Sequence, residues 1–398
     1  MSKVPVVIGV GRTAFGEHYE LDPERLMEEA GLEALDSAGI TRRDLDACYF
    51  SDYFLQLTNK IGIEEGFLSE LLELHVPMEK SRSFSAALSN ACFAIMSGRY
   101  RVVLVGGVEK MCDRWYKIRD DLMLLEDPWS YYAGGTPESN HELMLREYIK
   151  KYGLDEQSLE KMSMALAYIA VKNHRNALKN KLAQFKVPLS EKKVLESRKA
   201  AGRLMGRYDF APISDGATAL ILTDLEKAKE LGLEGVAIYG FYSATDYITF
   251  PSREDRTGFV SCRIAIEKAL KIAGIRRRDI RLVETYDQST FLEMVTLEDL
   301  GFYGRGEGWK PIYESYESQS PHYEFDGGIL YVNTNGGLKA DGNPLGATGG
   351  AQVYEVFKQL KGEADERQVK FDEDEVYGCS LELEGFGTKA YVYIFGRV

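Results

Sequence analysis

Three stretches of this chain carry residue types and spacings that can do chemistry. The first is Asn333-Thr-Asn-Gly-Gly-Leu-Lys-Ala-Asp-Gly-Asn343-Pro344-Leu-Gly346-Ala-Thr-Gly349-Gly350. Six glycines fall between 336 and 350, which implies special backbone angles or close backbone approach. A strand (329–332) enters the stretch and a helix (348–360) leaves it. Backbone N–H groups at a helix start suit an oxyanion or a phosphate. No Gly-Lys-Ser/Thr follows at the spacing of a nucleotide-binding P-loop, and a purely structural turn is the alternative reading.

The second stretch is Glu284-Thr-Tyr286-Asp287-Gln288-Ser289, at a strand end leading into a helix over 291–301. Open α/β sheets place their sites at the C-terminal ends of strands. Tyr286 as a core aromatic and Asp287 as a helix cap is the structural alternative. The third is a helix over 82–97 with Phe84, Ala87, Leu88, Ala91, Cys92 and Ile95 at a period near 3.6. Ser81 stands at its start. It reads either as the N-cap or as a group that the helix terminus activates.

Charge adds a fourth feature. From Lys172 to Arg207 there are eleven Lys/Arg and two Glu, a local net of +9 within a chain of net −13. Charge runs are usually solvated faces, but an island so opposed to the global sign fits an anionic, nucleotide-bearing ligand. The negative total disfavours general nucleic-acid binding. His174 lies on a helix inside this island, where a structural histidine is the simpler reading. The five cysteines (Cys48, Cys92, Cys112, Cys262, Cys379) form no CxxC pair, and no His/Cys cluster has metal-ligand spacing. They point to a reducing cytoplasm, with no metal. No apolar run is long enough to span a membrane.

The elements that position these groups come from a duplication. Residues 34–45 (ALDSAGITRRDL) and 269–280 (ALKIAGIRRRDI) share Ala-Leu, Ala-Gly-Ile and Arg-Arg-Asp in register at an offset of 235. That offset puts Asp52 opposite Asp287. Strand–helix–strand order in each copy predicts two similar α/β halves. Residues 112–210 are strand-poor, with helices near 139–152, 157–180 and 190–205, and read as an inserted cap. The expected organisation is 1–111 with 211–235 as one half, 112–210 as the insertion, and 236–398 as the other half.

The chain resembles the thiolase superfamily, in its archaeal acetyl-CoA acetyltransferase and sterol-carrier-protein-type branch. The carriers are Ser97-Gly98 through Val103-Leu-Val-Gly-Gly-Val-Glu-Lys-Met111, Val171-Lys-Asn-His-Arg-Asn-Ala177, Ser214-Asp-Gly-Ala217, Leu297-Glu-Asp-Leu-Gly-Phe302 and Asn333–Gly350. The resemblance implies a five-layered αβαβα fold of two duplicated halves plus a helical loop domain. It implies a role in lipid metabolism, with coenzyme A or an acyl-CoA held by Lys172, His174, Arg175, Arg203, Gly337 and Gly346. It also implies a dimer or tetramer, and a small zinc-ribbon/OB-fold protein or a second thiolase chain as partner.

The departures from that pattern fall on the reacting groups. The family's nucleophilic Cys, counted back from Gly98, falls on Ser81. Its Gly-His-Pro histidine falls on Asn343, and the His-Asp-Cys-Phe motif of this branch reads Tyr286-Asp287-Gln288-Ser289. The last base falls on Leu381, with Cys379 two residues away on the same strand face. A serine without an imidazole is a far weaker nucleophile than a thiolate. Cys92, eleven residues along the helix, is about 16 Å from its start. The candidate catalytic residues are therefore Ser81, Tyr286, Asp287 and Asn343. The expected function is acyl-CoA binding with altered C–C chemistry of retro-aldol type. Tyr286 is the acid/base, Asn343 and the glycine-turn N–H groups hold the thioester oxygen, and Glu382 and Glu384 assist. The alternatives are a non-catalytic paralogue and a residual acyltransferase using Ser81.

Overall fold

The computed structural model describes residues 3–373 and 375–398, with the backbone alone described at Trp115. Its strands are β1 (Pro5–Arg12), β2 (Ala47–Ser51), β3 (Met78–Ser81), β4 (Val102–Lys110), β5 (Asp215–Asp224), β6 (Val236–Thr245), β7 (Ile280–Glu284), β8 (Tyr323–Phe325), β9 (Gly328–Val332), β10 (Tyr377–Glu384) and β11 (Lys389–Arg397). The helices that position the site are α1 (Pro23–Ala38), α2 (Phe84–Met96), α3 (Pro137–Tyr152), α4 (Glu156–Ala177), α5 (Glu191–Ala201), α6 (Val260–Ala273), α7 (Thr290–Asp299) and α8 (Leu345–Lys361).

Strand order is β3-β2-β4-β5-β1 in the first half and β6-β11-β10-β7-β9 in the second, with β8 outside β9. The second order is the first reversed. Pairing directions repeat as well. β2 runs parallel to β3 and β4, as β7 does to β9 and β10. β5 is antiparallel to β4 and β1, as β11 is to β10 and β6. The halves join through Val6 opposite Ala237 and Val7 opposite Val236.

The repeated segment shows why the copies match. Asp22 caps α1 by accepting from Arg25 N, with Pro23 in the first turn. Gly39 then ends the helix at φ 63°, as Gly274 ends α6 at φ 71°. A left-handed terminator favours glycine at both places. A short 3-10 turn follows each (Arg42–Asp44 and Arg277–Asp279) and leads into β2 or β7.

Strand alternation then builds the layers. Val7, Val103, Val105, Leu220 and Leu222 face inward and share one core with α2, α8 and Tyr391, Tyr393 and Phe395 of the other half. Val6, Ile8, Leu104 and Ile221 face outward onto α1. Leu381, Leu383, Val392 and Ile394 face outward onto α6 and α7. The result is helix, sheet, helix pair, sheet, helix. Between β4 and β5 the chain is helical, carrying α3, α4 and α5. No described helix is long and apolar enough to cross a membrane.

Candidate active site

The glycine-rich turn is held from inside. Asp287, buried, accepts from Leu338 N at 2.7 Å, Lys339 N at 3.2 Å and Asn173 Nδ2 at 2.7 Å. Burial and the nearby Glu293 push its carboxyl up to about 7. Glu109, also buried, accepts from Gly346 N, Tyr53 N and Phe54 N. Gly337 N donates to Asn335 Oδ1 and Asn343 N to Ser214 Oγ. The loop N–H groups expected to face an oxyanion are therefore spent on internal acceptors at 337, 338, 339, 343 and 346. Gly346 is a contact residue of another kind. A Cβ there would lie 2.5 Å from the Val108 carbonyl oxygen, so the start of α8 rests directly on β4.

This scaffold aims Asn343. Its Oδ1 accepts from Thr348 Oγ1 at 2.8 Å, which leaves its amide N–H groups on the other side. The Asn343 side chain lies near the Tyr286 phenol. Burial, then Glu382 and Glu126, push that phenol far up, so it stays protonated.

The start of α2 is occupied differently from the sequence expectation. Ser81 is the last residue of β3, paired with Ser51 in the parallel ladder. Its Oγ accepts from Asn90 Nδ2 at 3.2 Å. Ser83 is the cap, because its extended backbone turns its Oγ onto Ala86 N. Ser83 Oγ also donates to Glu384 Oε1 at 2.6 Å, and Tyr391 OH donates to the same oxygen at 2.9 Å. Glu382 Oε2 accepts from Ser85 N at 2.7 Å. The Ser85 N–H in the first turn of α2 thus meets the protein's own carboxylate. Burial pushes Glu382 up to about 7.

The thiols stand apart. All five cysteines are buried. Burial pushes Cys48 and Cys379 up to about 12 and the others further. Cys379 and Leu381 face the outer apolar core, on the opposite side of β10 from Glu382 and Glu384.

A cleft of about 620 Å³ opens between the insertion and the second half, with Arg119, His174, Lys193, Arg203, Arg207 and Lys339 on its walls. Leu122, Phe210, Ala211, Pro212 and Ile213 line both this cleft and a narrower pocket that holds His141, Gln288 and Asn343. His174 and Arg203 thus face the cleft. His174 Nδ1 meets the Val187 carbonyl, and burial and Lys339 press its ring down to about 4. Lys172 does not face the cleft. It is fully buried, with Nζ 2.8 Å from Val332 O and 3.1 Å from Glu293. Arg175 turns to Gln319. Arg198 is spent on Asp209. The basic run is partly internal, and its ligand-facing share is smaller than its count.

Family models match as Thiolase, N-terminal domain over residues 5–196 and Thiolase C-terminal domain-like over 243–397. Acetyl-CoA acetyltransferase of Methanocaldococcus jannaschii is 34% identical over 98% of this chain and 97% of its own. The chain belongs to the thiolase family. Sterol carrier protein 2 of Gallus gallus is 29% identical over 93% of this chain and 68% of its own. Among solved structures the Ltp2-ChsH2(DUF35) aldolase superposes with TM-score 0.77 at 20% identity, covering 99% of this chain and 98% of that one. Human mitochondrial 3-ketoacyl-CoA thiolase in complex with CoA gives TM-score 0.71 at 17% identity, covering 100% and 98%. These two likenesses establish the fold.

Of the expected catalytic residues, Asn343 lines the narrow pocket, whereas Tyr286 lies near Asn343 outside that lining and Ser81 is not in it. Asp287 braces the glycine-rich turn from behind. Sequence reasoning passed over Ser83, Tyr391, His141 and Lys339. Lys339 had a signal, as the cation inside the glycine-rich motif. Lys193 and Arg207 sat within the counted basic run. His141 had none, since it shares an apolar helix face with Met144, Leu145 and Tyr148.

Proposed function

We propose that this thiolase-family chain binds an acyl-CoA and breaks a carbon–carbon bond of its acyl group without forming an acyl-enzyme. One observation carries the reading. A basic cleft shares walls with a pocket lined by the Asn343 amide and the His141 imidazole, with the protonated Tyr286 phenol near Asn343 and no thiol in either lining. The cleft's cations suit the phosphates of coenzyme A. For a β-hydroxyacyl-CoA, Glu382 takes the hydroxyl proton and the Cα–Cβ electron pair moves into the thioester. A carbonyl product leaves. The thioester enolate is held at its oxygen by Asn343, Tyr286 gives its proton to Cα, and Glu382 passes the proton it took back to the Tyr286 oxygen. The solved relative that is an aldolase on this fold supports the same class of step.

The test is direct. Calorimetry with coenzyme A thioesters reads binding, and product analysis after incubation with a β-hydroxyacyl-CoA reads cleavage. Tyr286→Phe abolishes cleavage and keeps binding; unchanged turnover rejects the role. Mass spectrometry after acyl-CoA incubation finds no adduct on Ser81, and an adduct there favours acyl transfer instead.

For assembly, we propose a homodimer through the outer edge of β3 and the exposed Phe93 and Met96 of α2. The exposed Tyr116, Leu124, Trp129 and Tyr132 are assigned to a small partner protein of the DUF35 kind present in the aldolase complex. Light scattering and co-purification check both.

A further inference from the structure

We propose that His141 is a hydrogen-bond donor to the thioester oxygen, acting with Asn343. The proposal rests on the acyl-CoA reading above and supplies what that reading lacks. The family's usual histidine at the glycine-rich turn is Asn343 here, and the turn's own N–H groups are spent on Asp287, Glu109, Asn335 and Ser214. One amide alone would face the developing oxyanion.

His141 comes from an unrelated element, α3 of the insertion, and lines the same narrow pocket as Asn343. Its ring is 1% exposed and lies against Phe210 and Phe386, with centroids 5.5 and 4.9 Å away. Nδ1 is 2.8 Å from Ser289 Oγ. The direction of that bond follows from Ser289's other partner. Ser289 caps α7, so its Oγ already accepts from Leu292 N. A fully buried hydroxyl that accepts from two N–H groups strands its own proton, at a cost of about 1–3 kcal/mol. The satisfied arrangement gives the Ser289 proton to Nδ1. The ring hydrogen then sits on Nε2, toward the pocket. Burial presses the ring down to about 3, so the imidazole is neutral at physiological pH and its Nε2–H is a fixed donor. On the opposite wall, Thr348 holds Asn343 Oδ1 and turns the amide N–H groups inward. The two donors come from different chain segments, and each is oriented by a hydroxyl behind it.

The experiment uses the full chain and acetoacetyl-CoA, whose enolate has its own near-ultraviolet band. A donor aimed at the thioester oxygen stabilises that enolate. Calorimetry measures affinity and absorbance measures the bound enolate fraction, for wild type, His141→Phe, His141→Gln and His141→Ala. His141→Phe keeps the ring shape and is expected to bind within a few-fold of wild type while its enolate fraction falls about tenfold or more. His141→Gln retains an N–H and recovers part of the band. An enolate fraction that His141→Phe leaves unchanged overturns the role of His141 and leaves the acyl-CoA reading standing. Failure of wild type to bind acetoacetyl-CoA overturns both. Loss of binding in His141→Phe together with full retention of the band in His141→Ala also rejects the donor role.

Discussion

Ser81 and Ser83 are two residues apart and do different work. Ser83 satisfies an orphan N–H at the start of α2 and binds Glu384; Ser81 ends a strand. Ser83→Ala is expected to lower stability by about 1 kcal/mol or somewhat more, and Ser81→Ala by less than about 0.5 kcal/mol. Urea midpoints compare them. Glu382 gives a pH prediction with a definite sign. Burial raises its carboxyl in the folded chain from the ordinary 4.5 to about 7. The native state therefore holds the proton more tightly than the unfolded chain. That contribution is present below the unfolded value and is lost as pH rises toward 7. The shift corresponds to about 3 kcal/mol at most. Glu382→Gln should therefore lose less stability than wild type between acid and mildly alkaline buffer. Equal losses in the two proteins would count against it.

At the scale of elements, the insertion's cations divide into two groups. Lys172 and Arg198 are buried partners of Glu293 and Asp209. Lys193, Arg203 and Arg207 line the cleft. Lys172→Met leaves Glu293 short of a cation and is expected to destabilise by about 3–5 kcal/mol. Arg207→Ala leaves stability within about 0.5 kcal/mol. It weakens acyl-CoA binding and flattens its salt dependence. Calorimetry at two ionic strengths separates these effects. Helix α8 offers a second check. Gly346→Ala drives a methyl group into β4 at the Val108 carbonyl, costing about 1–3 kcal/mol. The shift moves Asn343, so enolate stabilisation falls with it. Much of this scale was legible in the sequence. The repeated Ala-Gly-Ile/Arg-Arg-Asp segment, with glycine terminators at Gly39 and Gly274, is a local signal, because chain reversal acts within a few residues, whereas the cap candidates Asp287 and Ser81 each gave way to a serine two residues on, Ser289 and Ser83. The end of β3 was not legible. Its extension through Ser81 is decided by pairing with β2, thirty residues earlier.

At the scale of the molecule, the two halves share a core. α2 of one half and α8 of the other are buried together between the sheets, while the direct strand contact is two residue pairs long. Each half alone would expose an apolar sheet face and an apolar helix face to water. Segments 1–235 and 236–398 expressed separately are therefore expected to lack the cooperative unfolding of the full chain. Circular dichroism on each segment and on their mixture tests this. A cooperative transition in either segment alone contradicts it.

Sequence alone determined the duplication and the repeated half-fold, and its motifs carried the resemblance to the family. The first two rest on periodicity and spacing, which reach a few residues along the chain. Tertiary structure decided which groups face the pocket. Parity on β10 turns Glu382 inward and Cys379 outward, but which face is inward is set by α2, some three hundred residues away. His141 meets Ser289 across 148 positions of sequence. An imidazole on an apolar helix face carries no local mark of what it will meet, because burial and hydrogen-bond partners are properties of the packed chain.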